Sequence, residues 1–178
     1  MPILSPYTNQ WIIDFENIKN ELQQVLNNVN CTIEHVGSTA IPNLDAKPII
    51  DIDIIMNDIR EFEIIKENLE NIGYYHNGNQ GIEEREVFKR KDTYTSPILD
   101  TIKHHLYVCP KNSKALERHI LLRDFLRKNS WARNEYQQIK YNLAKQANND
   151  RKKYAELKEK FANSFIDNII EKAKHLNA

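Results

Sequence analysis

The stretch Pro48-Ile49-Ile50-Asp51-Ile52-Asp53-Ile54-Ile55-Met56 constrains this chain more than any other. It is dense in β-branched residues, and its proline stands at the entry, where a missing N–H does least harm to a ladder. A strand is therefore predicted over 48–56. Side chains alternate across a strand, so Asp51 and Asp53 share one face while Ile50, Ile52 and Ile54 share the other. Their Cα atoms would lie about 7 Å apart. Two unit charges at that distance repel by about 2 kcal/mol at an effective dielectric of about 20. A divalent cation reverses the sign, because hard carboxylate oxygens suit Mg²⁺, which also bridges phosphate oxygens. A sheet with one solvated face accommodates the same alternation without a ligand, and the pair alone leaves both readings open.

Around that strand the periodicity changes twice. Trp11, Ile12, Phe15, Ile18, Leu22, Val25 and Leu26 recur at helical spacing and predict an opening helix over 8–28. Cys31 to Val36 reads as a short strand ending at Gly37, and Pro42 to Lys47 as a loop. Asp58, with Glu61 three residues on, resembles a capping box that opens a helix closed by Gly73. Tyr74–His76, Glu84–Lys91 and Thr101–Cys109 read as further strands. After Pro110 three helices follow, over 114–128, 130–147 and 150–174, with Asn129 and Asp150 at expected N-caps. The fold class expected is α+β: a mixed sheet with flanking helices over 1–110, then a C-terminal helical extension over 111–178 packed on it.

Charge divides along the same line. Residues 1–110 carry 9 Lys/Arg and 17 Asp/Glu, a balance of −8, while residues 111–178 carry 16 and 8, a balance of +8. Attraction between the halves and solvated helix faces account for this, and no aromatic-interleaved basic run argues for dedicated nucleic-acid binding. No window is apolar enough to span a membrane, and the first residues lack the basic and apolar regions of a secretory signal. Cys31 and Cys109 each lie in an apolar stretch and read as unpaired thiols of a reducing compartment, so a cytoplasmic location is expected.

The candidate site begins 13 residues before the acidic strand, at Gly37-Ser38. Glycine allows close backbone approach, and serine offers a hydroxyl and an N–H. A helical turn after Ser38 would turn free N–H groups towards phosphate. An apolar residue, Gly-Ser, a gap of about a dozen and then Asp-Ile-Asp-Ile looks like the nucleotidyltransferase superfamily pattern. Ile33-Glu34-His35-Val36-Gly37-Ser38-Thr39-Ala40-Ile41-Pro42, followed by Ala46-Lys47-Pro48-Ile49-Ile50-Asp51-Ile52, closely resembles the GrpB family. Pro6-Tyr7 to Trp11, His104-His105-Leu106 and Phe125-Leu126 to Tyr136 extend the resemblance along essentially the whole chain. Asn43 stands where the family often has glycine, and asparagine tolerates the positive φ such a turn needs. Tyr107 stands where the family usually has another histidine. The resemblance implies a nucleotidyltransferase-like fold. Some members are fused to dephospho-coenzyme A kinase, which points to nucleotide or cofactor metabolism.

Working nucleotidyltransferases usually supply a third carboxylate from a neighbouring strand. In 101–109, Leu106 and Val108 share a face with His104, which leaves Lys103, His105 and Tyr107 on the other. His105 is the candidate for the third position, as metal ligand or general base. Lys47, Arg85 and Lys89 are candidates for neutralising phosphate, and Arg118, His119 and Arg123 for lining the cleft. His35 is expected to pack beside the Gly-Ser turn, and Trp131, Tyr136 and Tyr141 to belong to the helical bundle. Neither a nucleophile elbow nor a zinc-ligand spacing is present. The expectation is a metal-dependent nucleotidyltransferase acting on a small-molecule or nucleotide-derived acceptor. Asp51 and Asp53 would hold Mg²⁺, while Ser38, the backbone after Gly37 and Lys47 would meet the phosphates of a nucleoside triphosphate. The alternative is a non-catalytic nucleotide- or cofactor-binding module of the same fold; a third reading is an interaction protein that uses its helices.

Overall fold

The structure is a computed structural model and describes residues 2–93 and 96–177. Five strands, β1 (Cys31–Val36), β2 (Ile50–Met56), β3 (Tyr74–His76), β4 (Glu86–Arg90) and β5 (His104–Pro110), form one sheet in the order β1-β2-β5-β4-β3. The β2/β5 pair is parallel and the other neighbours are antiparallel, so the sheet is mixed. Helices α1 (Gln10–Val25), α2 (Phe62–Asn71) and α3 (Pro97–Thr101) accompany it, and α4 (Lys114–Lys128), α5 (Ser130–Gln146) and α6 (Arg151–Asn177) form the extension.

The alternation in β2 separates two environments. Ile50, Ile52, Ile54 and Met56 are buried with Trp11, Phe15, Ile18 and Leu22 of α1, Ile65 and Leu69 of α2, and Leu99 of α3. Complete burial of an isoleucine side chain contributes about 1.5–3 kcal/mol, so this apolar face fixes the register of β2. Asp51 and Asp53 are thereby forced to the opposite face, towards α4. A second core joins α4, α5 and α6 through Leu126, Tyr136, Leu143, Tyr154 and Ile169, and it also takes in Ile3, Leu4, Ile41 and Leu44. The N-terminal segment and the turn after β1 are therefore built into the helical layer. A bridge between Ser5 and Ala46 ties those two segments together.

Local chemistry moves several boundaries. β2 begins at Ile50, two residues after Pro48, where Ile50 N donates to Lys103 O. Asp58 accepts from Arg60 N, whereas Glu61 accepts through Oε1 from Asn30 N, so the expected reciprocal capping box does not form. Asn129 donates through Nδ2 to Phe125 O; it closes α4 and makes no side-chain cap to α5. Asp150 does cap α6, accepting from Lys152 N and Lys153 N. The strand expected over 101–109 starts later, because residues 97–101 are helical. Ser96 accepts from Leu99 N with Pro97 behind it, an N-cap and N1 pair whose signal was present in the sequence. Cys31 and Cys109 are both free. Burial pushes the Cys109 thiol up to about 12, with Asp53 adding to the effect, so it is inert at neutral pH. Among the described residues no helix is long and apolar enough to cross a membrane.

A two-carboxylate site between sheet and helices

Gly37 ends β1 at a φ of 73°, and residues Ser38–Ala40 then make one turn of 3-10 helix. A Cβ built on Gly37 would lie 2.3 Å from Asp51 Oδ2. The glycine is thus required twice, by its backbone conformation and by the carboxylate packed against it. Asn43, three residues past the turn, takes a φ of 63°, as its place in the motif led one to expect.

Register assembles the rest. Val36 pairs with Asp51 across β1/β2, and Asp51 and Asp53 pair with His105 and Tyr107 across β2/β5. Both carboxylates, the imidazole and the phenol therefore project from one sheet surface. His105 Nδ1 donates to Asp51 Oδ1 at 2.8 Å on the open side of the site. His119 of α4 donates through Nδ1 to Asp53 Oδ2 at 2.7 Å, with Asp53 wholly buried. The second oxygen, Asp53 Oδ1, is buried and has no hydrogen-bond partner. A buried carboxylate oxygen left unpaired costs about 1–3 kcal/mol or more, and such an oxygen is a candidate cation donor.

Most of the other expected residues gather here. Arg85 lies 4.6 Å over the ring of Tyr107, and both line the cavity with Arg118, His119 and Arg123. Burial, ahead of Asp51, pushes the Tyr107 phenol above its ordinary value, so it remains a hydroxyl. Arg118 pairs with Asp167, and Arg123 with Glu34 at 2.6 Å and with the carbonyl of His35 at 3.0 Å. These two arginines hold α4 to α6 and to β1 respectively. Lys89 is exposed on β4 and lines neither cavity beside Asp51. His35 packs as expected, stacked on Phe15 at 4.7 Å and bonded through Nε2 to Thr39 Oγ1. Tyr136 is buried and lines the larger cavity, whereas Trp131 and Tyr141 are exposed.

Two cavities meet at Asp51. The larger, about 320 Å³, lies between the sheet and α4 and mixes Ile41, Ile82, Leu122 and Ile166 with Arg85 and His119. The smaller, about 50 Å³, is lined by Lys47, Ile49, His105, Lys140 and Tyr154. Ser38, Asp51 and Lys158 belong to both walls. Lys140 and Lys158 escaped the sequence reading, because each occupies a helical position where a lysine ordinarily faces water.

Among the described residues no group of three His, Cys, Asp or Glu side chains is placed to hold a metal ion. Asp51 and Asp53 offer two oxygen donors, and Mg²⁺ characteristically takes one or two carboxylates and completes its shell with water and phosphate oxygens. Asp51 on the cavity wall and the orphaned oxygen of Asp53 are donors of the kind that ion takes, with Asp53 wholly buried behind the wall and lining neither cavity.

A family model described as GrpB protein matches residues 2–171. Glutamate-rich protein GrpB of Alkalihalophilus pseudofirmus is 31% identical over 168 residues, 94% of this chain and 95% of that one. UPF0157 protein YqkA of Bacillus subtilis is 31% identical over 162 residues, covering 91% of this chain but 45% of the relative. The chain thus spans less than half the length of that protein. The crystal structure of conserved protein GrpB from Enterococcus faecalis matches with a TM-score of 0.76 at 31% identity, covering 96% of each chain. Cid1 in complex with the UTP analogue UMPNPP matches with a TM-score of 0.55 at 13% identity, over 79% of this chain and 42% of Cid1. At that identity the likeness is one of fold.

Proposed function

This chain belongs to the GrpB family and has a nucleotidyltransferase-like fold, and from that premise we propose that it transfers a nucleotidyl group to a small-molecule acceptor with a divalent metal. The observation that carries the reading is the position of Asp51 on the wall between a small cationic cavity and a larger mixed one. A nucleoside triphosphate has the same division, with a polyanionic tail, a bulky nucleoside, and the scissile α-phosphate between them. Solved structures of the same fold include Cid1 with MgGTP and with the UTP analogue UMPNPP. Those ligands belong to Cid1, and they support this reading by fold alone.

Asp51 and Asp53 would hold Mg²⁺. When bound, that ion would supply charge stabilisation to an in-line displacement at the α-phosphorus. Ser38, with its hydroxyl and the N–H groups of the turn, would hold the phosphate tail, and Lys47 would add a positive charge beside it. His105, paired with Asp51 across β2/β5, would take the role of the third carboxylate. Its Nδ1 is committed to Asp51, so Nε2 is the atom that would accept the acceptor hydroxyl's proton. The apolar walls of the larger cavity would exclude water from the attack.

Thermal melts with Mg²⁺ and each of the common nucleoside triphosphates should show a rise in Tm for at least one of them. Asp51→Asn should remove that rise. A chain whose Tm responds to none of them is not a nucleotide-binding protein of this kind. A second reading, a non-catalytic nucleotide-binding module, is motivated by His105 beside Asp51, with no further carboxylate on the walls of either cavity among the described residues. That module would show the Tm rise without pyrophosphate release across a broad acceptor panel, and release that vanishes in Asp53→Asn would exclude it.

A further inference from the structure

Three lysines converge on the smaller cavity, and among the described residues none of them makes a direct salt bridge. Lys140 is 1% exposed; its ammonium donates to the carbonyl of Asp45 and lies 5.2 Å from the Tyr136 ring centroid. Lys47 and Lys158 are half-buried on the same walls, with Lys47 5.6 Å over the ring of Tyr154. Burial, with Lys158 next, holds the amines of both Lys47 and Lys140 below their ordinary value. Arg151 adds a fourth positive charge near Lys47. Lys140 is a buried ammonium, which is costly without a counter-ion, and its positive neighbours around about 50 Å³ add repulsion. Tyr136 and, less strongly, Tyr154 and Asp51 favour the charged form of Lys158. Asp51 is the single carboxylate on these walls; its charge favours the ammonium forms of Lys47 and Lys158, and one carboxylate faces three amines. Such a cluster is stabilised by an anion that carries several charges in a small volume.

We infer that Lys47, Lys140 and Lys158 form a polyphosphate site that binds condensed phosphate through ammonium groups, in the absence of any metal. The inference rests on the proposed reaction only for its place in the molecule, beside Asp51. Its ligand is the tail of a nucleoside triphosphate or free inorganic polyphosphate, which share this chemistry. Selectivity comes from charge number: tripolyphosphate should bind more tightly than pyrophosphate, and pyrophosphate more tightly than phosphate.

Titration calorimetry of the intact chain in EDTA, with tripolyphosphate, pyrophosphate and phosphate as probes, tests this directly. Tripolyphosphate should bind in that order of preference, and Lys158→Met and Lys47→Met should each weaken it by at least about tenfold. Both side chains are half-buried, so a melting profile of each variant is taken first and binding is compared on the folded proteins. Lys140→Met should weaken binding as well. Asp51→Asn separates this inference from the proposed reaction. It should abolish the Tm rise with Mg²⁺-nucleotide, yet leave metal-free tripolyphosphate binding equal or tighter, because a negative charge has left the wall. Absence of tripolyphosphate binding to folded wild-type protein, or binding unaltered in Lys47→Met and Lys158→Met, would overturn the inference. A nucleoside triphosphate that competes with bound tripolyphosphate identifies the nucleotide tail as its ligand. Failure of nucleotides to compete assigns the site to the inorganic ion.

Discussion

Gly37→Ala is expected to destabilise the chain by about 2–4 kcal/mol and to abolish any response to Mg²⁺-nucleotide. Two costs combine. A φ of 73° is strained for alanine, at about 1–3 kcal/mol. The new methyl would also sit 2.3 Å from Asp51 Oδ2 and 3.0 Å from Asp51 Cβ and Cγ, so the carboxylate has to leave its place. Asp51 in turn holds His105, and the displaced carboxylate would take the metal-binding geometry with it. Urea denaturation measures the first effect and thermal melts with nucleotide the second. The same substitution in an Asp51→Ala background isolates the cause. With the carboxylate gone, only the φ strain and the contact with the residual Cβ remain, so the penalty should shrink. An equal penalty in both backgrounds would mean that the glycine serves the turn alone.

The Gly37/Asp51 contact also marks how far the sequence could be read. The face bearing Asp51 and Asp53 follows from a period of two in a strand whose other face is all aliphatic, a local signal with few competing solutions. Gly37, Ser38 and Asn43 are likewise local, since each answers a backbone requirement at its own position. The pairing of His119 with Asp53 joins residues 66 apart in the chain, and no periodicity specifies it. The apolar stripes of α4, α5 and α6 say that these helices pack, and they leave open which residues meet the sheet. Lys140 shows the limit most plainly. It lies one residue past Ile139 on an amphipathic helix, and only the tertiary structure brings its amine onto the carbonyl of Asp45. Asn129 illustrates the opposite error: a residue in the right place for an N-cap bonds backwards, because the carbonyl of Phe125 is within its reach.

Acidification from pH 6.5 to 4 is expected to withdraw about 3 kcal/mol of stability through His35 alone. Its imidazole is 7% exposed, stacked flat on Phe15 and bonded to Thr39, whose hydroxyl contacts the carbonyl of Ile49. Burial, against the raising effect of Asp51 and together with Arg127 and Arg123, lowers its pKa to about 4 from an ordinary 6.5. The unfolded chain therefore takes up a proton first as pH falls. Stability from this group is complete above pH 6.5, declines as protons bind the unfolded state, and is fully lost below about 4. The physical source is the ring's position: a cation on Phe15 would be stripped of water and would face two arginines. Urea denaturation at pH 7, 6, 5 and 4 should show wild type losing about 3 kcal/mol more than His35→Phe over that interval. Losses from protonating carboxylates, and from His104, enter both proteins and cancel in the comparison. Phenylalanine preserves the stack and removes the titration, whatever it does to stability at pH 7. Parallel pH profiles for the two proteins would place a charged imidazole at position 35 in the fold, and the turn that carries Gly37 and Ser38 would then rest on an ion and not on a neutral ring.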